Sequence, residues 1–150
     1  MHEADFMNPH EKDIIKRLRR GKRVNISAIA RELGLPISTV ADRIRKIDEK
    51  YVVKRSSLLD YSKMGYVSNH IIAIRTKPEE KERMLNFLKQ QGCVNSIFHT
   101  NSNFSFLIEV VFRENFEFIN WIEKMRAEFP IEMQSFQILK VEDKERFLPE

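Results

Sequence analysis

Between Ile26 and Ile47 the apolar residues form two short stripes separated by a glycine, and this spacing confines the segment to helices that cross at close quarters. Ile26, Ile29, Ala30 and Leu33 share one helical face, and Val40, Ile44 and Ile47 share another. Ala30, then Gly34 four residues on, then Val40 six beyond that, is the spacing of a helix-turn-helix. A small residue allows the close crossing, glycine supplies the positive φ of the turn, and a branched residue anchors the next helix. Asn25 is a good N-cap for the first of the two. An earlier helix starting at Asn8, Pro9 or His10 buries Ile14, Ile15 and Leu18 and closes at Gly21. Pro36 suits the first turn of the third helix but leaves it without a hydroxyl or carboxylate cap.

With that stripe turned inward, Ser38, Thr39, Asp42, Arg43 and Lys46 point outward and Arg45 lies on the flank. Hydroxyls and cations of this kind donate to phosphates, and arginine also reads guanine in the major groove. Residues 37–49 are therefore the expected recognition helix of a double-stranded DNA binder, with Lys54 and Arg55 adding charge behind it. Asp42 suits phosphate poorly, so pairing with Arg43, Arg45 or Lys46 is expected, or acceptance from a cytosine amino group. The charge distribution agrees: residues 1–60 hold 14 Lys and Arg against 9 Asp and Glu, whereas the remainder holds 12 against 13. A basic module joined to a near-neutral one suits a polyanion binder coupled to an assembly domain.

Composition removes several other classes. Apolar residues are 42% and charged residues 32% of the chain, too apolar for disorder. The apolar runs are too short to span a membrane, and the charged N-terminus does not read as a signal peptide, so the expectation is a cytoplasmic protein. A lone Cys93 reads as a buried structural thiol. His2, His10, His70 and His99 lack metal-ligand spacing, and with four glycines there is no phosphate-cradling loop or recognisable nucleophile. No cofactor is expected.

Beyond residue 52 the segment 51–55 is expected to run extended, and 53–65 to form a hinge strand and linker between a helix-turn-helix domain at 1–52 and a second domain at 66–150. The second domain reads as strand 69–75, helix 79–91, strand 94–101, strand 104–112, helix 115–129 and strand 132–141. That βαββαβ order is the ferredoxin-like arrangement, giving an α+β chain with a winged-type helix-turn-helix in front. Phe106, Ile108, Val110 and Phe112 alternate with Leu107, Glu109 and Val111, so both faces of the third strand are largely apolar. One face can meet the helices while the other needs a second surface, and the second helix also carries surplus apolar residues. Phe106, Ile108, Val110 and Trp121 are the expected oligomer interface of a dimer or larger assembly.

Over residues 11–141 the chain resembles the Lrp/AsnC family, the feast/famine regulators related to the leucine-responsive regulatory protein. The resemblance rests on I-A-R-E-L-G-L-P-I-S-T-V-A-D-R-I-R-K-I-D-E-K-Y-V-V and on L-D-Y-S-K-M-G-Y. It implies a homodimer built through βαββαβ domains, often assembled to an octamer, binding promoter DNA under control of an amino-acid effector. The family's basic recognition position falls on Arg43 and its serine/threonine pair on Ser38 and Thr39. Tyr51 stands where the family usually has glycine. The family's Gly-Asp/Asn-Tyr/Phe-Asp turn, near its amino-acid pocket, is here Ser102-Asn103-Phe104-Ser105. Losing the carboxylate implies an altered or absent effector response, with Asn101 or Asn103 expected to make the turn through a positive φ. Siroheme decarboxylases share this architecture, and likeness to them would imply His and Arg residues around the hairpin. The chain offers His99 there and no arginine before Arg113. A third reading, an interaction protein that no longer binds DNA, is opposed by the retained cations Arg43, Arg45, Lys46, Lys54 and Arg55.

Overall fold

The computed structural model describes residues 7–20 and 24–147. Two compact units emerge: one takes the chain as far as Ser57 and resumes at Asp143, and the other is Leu58–Glu142. Residues 143–147, expected in the second domain, thus fall with the first unit.

Three helices make the first core. Helix α1 (Pro9–Arg20) opens with proline at its first position and a reciprocal cap: the Glu11 amide donates to Asn8 Oδ1 at 2.9 Å, and the Asn8 amide donates to Glu11 Oε2 at 3.2 Å. Its expected end at Gly21 lies outside the described residues. Helix α2 (Ile26–Leu33) is capped by Asn25, whose Oδ1 accepts from the Ala28 amide at 3.0 Å. Gly34 then takes φ 64°, sending its own amide to Arg31 O and that of Leu35 to Ala30 O, and these two bonds stop the helix in the turn. Helix α3 (Ile37–Tyr51) follows with no side-chain cap at Pro36. Ile14, Ile29, Ala30, Val40, Ile44 and Ile47 are buried together, so the stripes meet as their spacing requires. Tyr51 ends α3 and packs on this core with Val52. No strand follows, and residues 52–60 are without ladder pairing in the single chain.

In the second unit β1 (Ser68–Arg75) lies between β3 (Phe106–Phe112) and β4 (Glu132–Gln137), while β2 (Val94–His99) pairs with the far side of β3. Every pairing is antiparallel and the order is β2-β3-β1-β4. Helices α4 (Lys81–Gln90) and α5 (Asn115–Glu128) cover one face, where Met84, Leu88, Trp121, Ile122 and Met125 close over Ile72, Ile74, Phe106, Ile108 and Val110. The last strand stops at Gln137 rather than 141, and the first turn of the expected 79–91 helix is a 3₁₀ segment at Pro78–Glu80. Cys93 is half-buried rather than buried, and burial pushes its thiol up to about 11, leaving it protonated at neutral pH.

This packing corrects the interface assignment. Phe106, Ile108 and Val110 are 0% exposed within one chain, and Trp121 is buried with its indole N–H donating to Gln91 Oε1 at 3.0 Å. They pack in the core of one chain and leave little or no surface for a partner. Alternation established two apolar faces on β3 without saying which one the helices take; Glu109, on the other set, marked the open side. The open face instead carries Ile71, Phe98 and Phe136, exposed by 36, 55 and 51%, with half-buried Leu107 and Val111 between them.

Candidate nucleic-acid interface

Helix α3 faces two ways for a simple reason: its positions at spacings of four and three are apolar and locked, so the intervening positions fall on the flanks or face solvent. Ser38, Asp42, Arg45 and Lys46 are exposed, Thr39 and Arg43 are half-buried, and Lys54 and Arg55 are exposed beyond the helix. Asp42 takes Arg45 as its partner, at 3.2 Å, with both side chains about two-thirds exposed. Such a pair on an open surface is weak and gives way readily to a phosphate. Arg55 is engaged differently, donating to both carboxylate oxygens of Asp48 at 2.5 and 2.6 Å. Arg43 stands apart: its Nη1 is buried without a hydrogen-bond partner, leaving a guanidinium donor unused by the protein.

Sequence reasoning missed two residues here. Ile37, the first residue of α3, is 56% exposed, placing an aliphatic side chain at the end of the helix that carries Ser38. Asp48 lies on the half-buried flank, and its hold on Arg55 was not legible because the path of the chain after Tyr51 decides it. The i to i+3 spacing of Asp42 and Arg45, in contrast, is a direct helical signal.

The β2–β3 hairpin brings together Asn101, Ser102, Asn103, Phe104 and Ser105, and closes them on themselves. Thr100 Oγ1 donates to Phe104 O at 2.5 Å, and the Phe104 amide donates to Ser102 Oγ at 3.2 Å. Ser105, buried, donates from its hydroxyl to Thr76 O at 3.2 Å, while its amide donates to Ile74 O at 2.7 Å. Arg75 reaches across from β1: its Nε donates to Asn103 O at 2.9 Å, its guanidinium stacks over the Phe104 ring at 5.4 Å, and Nη1 meets Glu132 at 2.8 Å. Neither Asn101 nor Asn103 has positive φ, so the turn expected of them is made instead by the hydroxyls of Thr100 and Ser102. His99 lies exposed against Phe106, ring centroids 5.1 Å apart.

Residues 7–49 match the winged helix-turn-helix DNA-binding family. The HTH-type transcriptional regulator FL11 of Pyrococcus horikoshii is 23% identical over 114 residues, 75% of this chain and 76% of that one. An uncharacterised HTH-type transcriptional regulator of Pyrococcus abyssi is 32% identical over 91 residues, 58% of this chain and 62% of its own length. AsnC of E. coli superposes with a TM-score of 0.84 at 18% identity, covering 96% of this chain and 99% of AsnC. This is a helix-turn-helix protein with the Lrp/AsnC fold. A feast or famine regulatory protein from M. tuberculosis, complexed with L-methionine, superposes at 0.82 and 19% identity over 96% of this chain and all of that one. The resemblance drawn from the helix-turn-helix residues therefore extends to the architecture of both units. No described helix of this Lrp/AsnC-fold chain is long and apolar enough to cross a membrane.

Proposed function

We propose that the protein is a sequence-specific transcriptional regulator that lays α3 in the major groove and acts as a homodimer. One observation carries the reading: Ser38, Asp42, Arg45 and Lys46 stand free of the core while Val40, Ile44 and Ile47 are fixed in it. In this reading Ser38 and Thr39 position the helix on phosphate, Arg43 swings its half-buried guanidinium outward to read a base edge, and Lys46, Lys54 and Arg55 add attraction to the backbone. The second unit assembles the dimer. Its open sheet face, with Ile71, Leu107, Val111, Phe98 and Phe136, is the surface that association would cover. A two-fold axis there supplies the pair of recognition helices that a palindromic half-site arrangement needs.

The hairpin supports a reduced or altered amino-acid response. Its hydroxyls and Arg75 are spent on the turn itself, and Ser105 presents no carboxylate to a ligand ammonium. Selection of bound fragments from random and genomic DNA, followed by salt titration, tests the main reading. A common motif should emerge, with log affinity falling against log salt by about 0.9 per neutralised phosphate. No enrichment together with salt-independent binding would refute it. Calorimetry against a panel of amino acids tests the second part, and ordinary heats of binding with methionine would overturn it.

A further inference from the structure

The chain passes between its compact units twice, leaving the first after Ser57 and rejoining it at Asp143. The rejoining segment meets α1. Arg19 donates from Nη2 to the Glu145 carbonyl at 2.5 Å and stands 3.5 Å from that residue's carboxylate. Glu145 has φ 54°, the one left-handed non-glycine residue among those described. An L side chain avoids that conformation unless its surroundings impose it. Asp143, beside it, pairs with Arg146 at 3.5 Å. Among the described residues of this segment no apolar anchor supplements these contacts, since Val141 and Phe147 are 58 and 80% exposed. A segment held on an exposed surface by charge and one hydrogen bond releases easily, which suits regulation better than construction of the fold.

We propose that residues 143–147 are an autoinhibitory latch on the DNA-binding unit. Arg19 belongs to the basic run Lys16, Arg17, Arg19 and Arg20 at the end of α1. Glu145 occupies a cation of that run that would otherwise draw in a polyanion, and the latched tail ties the first unit at both of its chain ends. DNA and the tail then compete, so a phosphate backbone that takes Arg19 also frees the tail. The inhibitory role rests on the DNA-binding reading above; the docking itself does not.

Two measurements on the full-length chain test this. The first is affinity for a short random-sequence duplex, comparing Glu145→Lys with Glu142→Lys, which makes the same charge change without touching Arg19. Glu145→Lys is expected to tighten binding about threefold beyond that control at low salt, with the difference fading as salt screens the contact. Equal gains in the two variants would overturn the latch. The second measurement needs no DNA: in Arg19→Gln the backbone N–H order parameter of Glu145 should fall below about 0.6, and a value still near the rigid level of about 0.85 would also overturn it. If the native chain binds no duplex, the DNA reading and the inhibitory role fail together, while the order parameter still decides whether the tail docks through Arg19.

Discussion

Gly34 and His70 illustrate how much a single position can carry. Gly34 sits at φ 64°, and a methyl group built there meets nothing within 4 Å. The cost of replacing it is therefore conformational and not steric. Gly34→Ala is expected to destabilise the first unit by about 1 kcal/mol, read as a lower urea midpoint at unchanged m; an unmoved midpoint would remove the left-handed turn from the account. His70 is buried in β1, with Nε2 2.9 Å from Ser68 Oγ and its ring stacked on Phe118 at 3.6 Å. Burial pushes its pKa below the ordinary histidine value of 6.5. The unfolded chain thus binds a proton at higher pH than the folded one. The His70 contribution is fully present above the unfolded pKa and is lost as pH falls below it. The thermal midpoint of the second unit should accordingly drop between pH 7.5 and 5, and His70→Gln should flatten that part of the profile.

At the scale of the element, α3 is governed by spacing and the hairpin by hydrogen bonds. Asp42 holds Arg45 in an exposed pair, one that DNA would have to displace in the proposed reading. Asp42→Asn is expected to strengthen binding to random-sequence DNA and steepen its salt dependence, whereas Arg43→Ala should weaken specific binding by about 1 to 3 kcal/mol. Both effects are read by anisotropy titration, and an unchanged affinity for Arg43→Ala would take that residue out of the interface. The helical stripes were legible because a period near 3.6 is written directly into Val40, Ile44 and Ile47. The hairpin was not. Without glycine in the turn, Asn101 or Asn103 was the residue able to take positive φ there, but Thr100, Ser102 and Arg75 bond the turn from outside its backbone, and Arg75 comes from another strand.

For the whole molecule the open question of assembly turns on which sheet face is free. Phe98→Asp places a charge on the open face and should lower the mass measured by light scattering while leaving the fold intact. Phe106→Asp buries a charge in the core and should unfold the second unit. A native mass for folded Phe98→Asp would refute assembly through this face. What the sequence determined alone was local: helix stripes, caps, the Gly34 turn and the βαββαβ order all follow from periodicity and backbone preference within a few residues. Tertiary structure alone decided which apolar set of β3 the helices cover, which acid holds Arg55, and that Glu145 returns to α1. Each of those depends on residues distant in the chain meeting in space, and no periodicity encodes the partner.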